Sequence, residues 1–238
     1  MTITVSAQKV TLKNVKPGQL GKMILSQVEN LRDVESLTIQ SGTLNEDDFG
    51  ILYSTLKKVR HLDLYGITNT CFPYLYNNYY FKCDSLRTVR LPKDLDRLGS
   101  DYIEWKTNRP FEYCAYLESI EIPAGVRQLP NYSFNKCSRL REVILHEGLE
   151  YIGNGAFDSD SLRTVTLPST LVQADAAFGG CENLYEVISL ATTPPIFKER
   201  DLFGYELTES SDRIDRFMKG RMLTSPKGSN YELTQGWN

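Results

Sequence analysis

Residues 140–161, LREVILHEGLEYIGNGAFDSDS, run directly into LRTVTLPSTLVQADAAFGGCEN at 162–183, two stretches of 22 residues with leucines, valines, a phenylalanine and small residues in register. A fixed period of this size constrains a chain more than its composition does. A unit so short cannot enclose its own apolar side and must be stacked on copies of itself. Aligning on the opening residue gives unit starts at Leu117, Leu140, Leu162 and Leu184, spaced 23, 22 and 22 residues. Extending backwards finds Leu86, Val59 and Val34, with longer gaps of 31, 27 and 25, for seven units in all.

Each unit opens on apolar, two others, apolar, one other, apolar: VESLTI, VRHLDL, LRTVRL, LESIEI, LREVIL, LRTVTL and LYEVIS. The last two apolar sites alternate with period 2, which predicts short strands with Leu37/Ile39, Leu62/Leu64, Val89/Leu91, Ile120/Ile122, Val143/Leu145 and Val165/Leu167 facing inward. Only the seventh breaks the rule, with Ser189 after Val187. Pro92, Pro123 and Pro168 end three of the strands, since proline cannot donate to a ladder. Equivalent strands should lie side by side at about 4.8 Å, seven of them making one parallel sheet roughly 30 Å across. The unit closes on an aromatic, two residues and a cysteine: Phe111 with Cys114, Phe134 with Cys137, Phe178 with Cys181, and Tyr80 with Cys83. In FDSD at 157–160, Asp160 stands where that spacing calls for cysteine.

The ends should differ, because an outermost unit has one neighbour instead of two. Leu20, Ile24, Val28 and Leu31 fall on one helical face over 17–31. NEDDFGILYSTLKK at 45–58 reads as a second helix, with Asn45 as N-cap, acids in the first turn, Phe49, Leu52 and Leu56 inward, and lysines at the end to suit the dipole. After TTPP at 192–195 the register is lost. The expected organisation is one domain over 1–238, with an N-terminal cap at 1–33, seven units at 34–190 and a C-terminal cap at 191–238.

An apolar content of 41% with 24% charged residues is ordinary for a globular protein, and a formal charge of −3 gives no general electrostatic reason to bind nucleic acid. No apolar run approaches the roughly 20 residues of a membrane span. The start, MTITVSAQKVTLKNV, lacks the charged and apolar regions of a signal peptide. Four of the five cysteines recur at one repeat position, which favours buried free thiols over disulfides or zinc.

The unit L-x-x-[VI]-x-[LI]-P-x-x-[LV]-x-x-[LI]-x-x-x-[AS]-F-x-x-C resembles the BspA-like type of bacterial leucine-rich repeat, common on surface and secreted proteins of Bacteroides and relatives. VTLKNVKPGQLGKMI with VESLTIQSGTLNEDDFGIL resembles the N-terminal region of that family, and TTPP, SPKGSNY and GW its C-terminal end. The resemblance implies an α/β, β-rich fold: a right-handed leucine-rich-repeat solenoid with a parallel sheet on one face, a helical N-terminal cap and an irregular C-terminal cap. It also implies a non-enzymatic recognition protein at the cell surface, in the periplasm or secreted. Its partner would be a protein, such as a host extracellular-matrix protein, or a glycan.

Chemistry is sparse. His61 lies on the outward side of a strand and His146 takes a proline position, and no HExxH, GxSxG, phosphate loop or paired Cys/His cluster is present. No catalytic residue, cofactor or metal is expected, and NEDD at 45–48 is read as a helix start. The rivals to a binding module are an enzyme or enzyme accessory using Asp101 and Glu104 as acids, and a structural spacer.

Two surfaces are candidates for a partner. One is the outward strand face, where Asp63, Arg90 and Glu121 take the same position of three consecutive strands and Ile144 and Ile188 flank Thr166. The other is the pair of insertions in the long units, whose Tyr74, Tyr76, Tyr79 and Trp105 offer aromatic anchors. Tyr80 is assigned to the repeat's own aromatic position and Phe72 to either role.

Overall fold

The computed structural model describes residues 8–72, 85–98, 109–174, 176–193, 195, 202 and 222–224. Its elements in chain order are β1 (Gln8–Leu12), α1 (Leu20–Leu25), β2 (Val34–Ile39), α2 (Glu46–Ser54), β3 (His61–Asp63), β4 (Thr88–Arg90), β5 (Ser119–Glu121), β6 (Gln128–Leu129), β7 (Glu142–Ile144), β8 (Tyr151–Ile152), β9 (Thr164–Leu167), β10 (Glu186–Ser189) and β11 (Met222–Thr224). All seven predicted strands form, and every neighbouring pair except β7 and β9 is joined in parallel in the repeat's own register: Leu37 opposite Leu62, Leu62 opposite Val89, Ile120 opposite Val143, Val165 opposite Val187. Four strands lie outside the predicted seven: β1 pairs with β2, β11 with β10, and β6 with β8.

The strand row is not one ladder, contrary to the sequence expectation. Hydrogen-bonded pairing runs β1-β2-β3-β4-β5-β7 and resumes as β9-β10-β11. The turns remain joined behind this break by their return paths. Ile152 N donates to Gln173 O (3.0 Å), Gly155 N to Ala176 O (2.9 Å) and Phe157 N to Ala177 O (2.9 Å). There the second row, β6 beside β8, is carried on by a bridge from Tyr151 to Gln173.

The core lies between the two rows. Every predicted inward residue is buried except Leu145, which is partly buried against the cluster. Ser189, the polar exception, is buried too, and its hydroxyl accepts from Ala191 N at 3.3 Å. Along the far side runs a column of rings, one per turn: Phe49, Phe72, Phe111, Phe134, Phe157 and Phe178, all fully buried. The last four stack nearly parallel, with centroids 5.3, 5.4 and 5.0 Å apart and planes within 9°. Offset stacking of this kind adds to the burial of each ring.

Phe72, which the sequence leaves open between two roles, joins the column, touching Phe49 (5.1 Å) and Phe111 (6.1 Å); Tyr80 lies outside the described residues. A correction concerns the missing thiol. Cys137 and Cys181 are buried, and their sulfurs donate to the carbonyls of Phe111 (3.2 Å) and Phe157 (3.6 Å). In the intervening unit this buried place belongs to Ser159, whose hydroxyl donates to Leu140 O at 2.7 Å, while Asp160 is exposed. The unit is one residue shorter between ring and strand, so counting back from the next leucine, and not forward from the phenylalanine, finds the equivalent position.

At the N-terminal end α2 keeps its predicted start. Asn45 and Asp48 form a reciprocal capping box. Phe49 and Leu52 are buried, as is Leu56 beyond the helix end. Asp48 is 1% exposed, and its carboxylate also accepts from Gly18 N (2.7 Å) and Leu20 N (2.9 Å), which fastens the start of α1 to the start of α2. The predicted helix over 17–31 is cut to six residues. Ser26 turns its hydroxyl onto Met23 O and Gln27 its amide onto Thr11 O, so local side-chain bonding replaces another helical turn. Val28 and Leu31 still pack on the core from outside the helix. Between these turns Gly42 adopts a φ of +131°, and a Cβ there would collide with the backbone of Val15.

Candidate functional site: the outward strand face

A strand that buries every second side chain must present the others, so the row of strands carries two outward files. One runs Ser36, His61, Thr88, Ser119, Glu142, Thr164, Glu186. The other runs Thr38, Asp63, Arg90, Glu121, Ile144, Thr166, Ile188. The sequence-predicted residues Asp63, Arg90, Glu121, Ile144, Thr166 and Ile188 therefore share one file. Tyr74, Tyr76, Tyr79 and Trp105 lie outside the described residues, as do Asp101 and Glu104.

The face divides chemically. Over β3 to β5 its polar groups hold one another. His61 Nδ1 shares a hydrogen bond with Thr88 Oγ1 at 2.9 Å. Arg90 lies 3.8 Å from the Asp63 carboxylate and 3.7 Å from the centroid of the Tyr65 ring, a cation–π contact. Asp63 also accepts from Tyr65 N at 3.0 Å, which closes the turn after β3. The expected alternation Asp63–Arg90–Glu121 therefore stops at Arg90. Glu121 meets His146 Nε2 instead, at 2.8 Å. At the strand starts, Arg87 and Arg141 both reach Glu118, at 3.3 and 2.6 Å. These are solvent-facing pairs, each worth about 0–1 kcal/mol, so they set local geometry more than stability.

Over β7 to β10 the face is different. Ile144 is 41% exposed, Thr166 is exposed and Ile188 half-buried. Leu190 follows the inward Ser189 and is 48% exposed. The side chains of Glu142 and Glu186, in the neighbouring file, make no hydrogen bond or ion pair among the described residues. Sequence reading placed Glu142 and Glu186 on this face without singling them out. It missed Tyr65 and Leu190, although Leu190 takes the position that Pro168 and His146 hold in the two preceding units.

The groups whose protonation the fold shifts have structural work. Burial pushes the Cys137 thiol well above its ordinary value, leaving it protonated and unreactive. Glu147 accepts from the Ser169 amide (2.9 Å) and hydroxyl (2.8 Å), which hold its carboxyl below the ordinary range. Lys136 is raised by its hydrogen bond to Asp158 (2.7 Å). Among the described residues no group of three or more His, Cys, Asp or Glu side chains is placed to hold a metal ion.

Parallel strands contributed one per repeat, aliphatic side chains turned inward and a return path that stacks one ring per turn define a leucine-rich-repeat solenoid. Residues 106–196 match the model of the BspA type leucine rich repeat region, in six copies. A leucine-rich repeat protein from Eubacterium ventriosum is similar over 81% of this chain and 71% of its own, at 13% identity and a TM-score of 0.35. One from Bacteroides ovatus is similar over 71% and 58%, at 15% identity and 0.34. A leucine rich cell surface protein from Faecalibacterium prausnitzii is similar over 85% and 76%, at 15% and 0.32. No curated protein matches the chain. Among the described residues no helix is long and apolar enough to cross a membrane.

Proposed function

We propose that the chain is a non-enzymatic recognition module that binds a protein partner across the outward face of its strands, outside the cytoplasm. One observation carries this reading: Ile144 and Leu190 are 41% and 48% exposed on a face whose fold is already complete without them. An aliphatic side chain in water gains nothing from the core, whereas covering it with a partner contributes about 25 cal/mol per Å². A spacer would have no use for such side chains. Aliphatic groups also favour a protein over a glycan, which is bound through aromatic stacking and hydroxyl hydrogen bonds. A host matrix protein as partner, and a place at the cell surface or in the secreted fraction, follow from the repeat type and belong to the same proposal.

The test is a surface-binding screen against matrix proteins and polysaccharides, using the full chain, Ile144→Ser/Ile188→Ser and a control, Tyr151→Ser/Val172→Ser, whose exposed side chains lie on the second row. Saturable binding to a protein that is lost in the first variant and kept in the control is the expected result. Binding indifferent to Ile144 and Ile188 would remove the strand face as the site, and binding confined to polysaccharides would transfer the role to a glycan.

A further inference from the structure

We infer that the segment received over β7 to β10 is cationic as well as apolar: a stretch of partner protein with lysine or arginine side chains interleaved with aliphatic ones. The inference rests on the strand-face reading and adds the chemistry of what docks there. Glu142 and Ile144 are outward residues of β7, and Glu186 and Ile188 are outward residues of β10. β9 lies between them with Thr164 and Thr166 in the matching positions. An acidic file and an apolar file therefore run side by side across three strands. Along a strand the two files are about 7 Å apart.

Among the described residues neither carboxylate meets a basic side chain. The basic side chains described at the border of the patch are engaged elsewhere: Arg141 with Glu118, Arg163 with the Asp160 carbonyl and His146 with Glu121. Elsewhere on the described face acids and bases meet in pairs, whereas here two carboxylates stand beside exposed aliphatic side chains. A partner that brings positive charge to Glu142 and Glu186 and apolar area to Ile144, Ile188 and Leu190 complements both files at once. The competing account is that the two acids guard an exposed apolar face against aggregation. That account requires no charge selectivity in binding.

The experiment measures fluorescence anisotropy of labelled peptides of about ten residues, long enough in extended form to cross the patch. The probes alternate Lys/Val, Glu/Val, Lys/Ser and Ser/Val. The proteins are the full chain, Glu142→Gln/Glu186→Gln, Ile144→Ser/Ile188→Ser, and Glu29→Gln/Asp94→Asn as an equal charge change elsewhere. Thermal melts establish that each variant is folded. The expected result is preferential binding of Lys/Val, weakened at least about tenfold by either patch variant and within about twofold of wild type in the control. Between about 50 and 300 mM salt that affinity falls for the wild type and much less for Glu142→Gln/Glu186→Gln. Lys/Val binding that ignores the glutamates, or aggregation of the glutamate variant with peptide binding intact, overturns the inference. If Glu/Val or Ser/Val binds instead, and through Ile144 and Ile188, the partner chemistry fails while the strand face stands. If no peptide senses those isoleucines, both fail.

Discussion

Phe157→Ala removes the ring that links Phe134 to Phe178, at the junction where the strand row has no ladder. Phe157 is fully buried, so the loss combines transfer free energy with a cavity, about 3–5 kcal/mol, of which stacking against two rings is a part. At about 1.4 kcal/mol per tenfold, that is two to nearly four decades in a local opening equilibrium. Phe134→Ala removes an equivalent ring, but the turns on either side of it are also joined by the β5–β7 ladder and by β6–β8. In a stack whose turns touch only their neighbours, stability is close to a sum of turn and interface terms, so a weakened interface lets the two sides open separately. Hydrogen exchange followed by mass spectrometry should then show protection falling further in 162–190 than in 117–145 for Phe157→Ala. Urea unfolding should broaden or split. For Phe134→Ala the two segments should lose protection together. A Phe157→Ala loss below about 1 kcal/mol, or identical segment patterns in the two variants, would refute the claim that this interface depends on the ring column.

Asp48→Ala strips the acceptor from the amides of Gly18, Leu20 and Asn45 and should cost about 3 kcal/mol or more, a melting shift of about 6–12 °C by calorimetry for a chain of this size, with Asp48→Asn intermediate. Glu147 has a depressed folded pKa, so its bonds to Ser169 stabilise above the unfolded value near 4.5, and that contribution is lost as the pH falls through the folded value. Glu147→Gln should accordingly be less stable than wild type near pH 7 and converge with it in urea titrations as the pH falls through the depressed folded value. Ser159→Ala leaves the Leu140 carbonyl without its hydroxyl donor and should cost about 1–2 kcal/mol, while Ser159→Cys should lie closer to wild type and react with a thiol reagent only on unfolding.

The strand row was legible because two independent patterns coincide there. Period-2 alternation chooses the inward side and the repeat fixes which residues are equivalent, so Leu37 through Val187 were placed residue by residue. β1 and β11 were not found, since neither sits within a full unit and each is made a strand by pairing with a neighbour. Apolar spacing gave the inward face of α1 but not its end, which Ser26 and Gln27 decide through bonds of their own. Ser159 was missed because a one-residue deletion shifts the count from the ring but not the count from the next leucine. Sequence leaves Phe72 undecided, because a long unit offers several aromatics and only packing selects one. On the outward face, composition showed which groups are presented but not which pair: Arg90 turning to Asp63 and Tyr65, and Glu121 to His146, follow from positions outside the repeat template.

Since each turn lends one ring to a common column and one strand to a common row, this protein has a natural step of growth. Excising 140–161 whole would set Phe134 beside Phe178 and Ile120 beside Val165, like against like. Removing any other count would misfile every later side chain, unless, as beside Ser159, the change falls in the link between ring and next strand. Length in such a lineage is quantised, while the interior chemistry stays the same from one copy number to another.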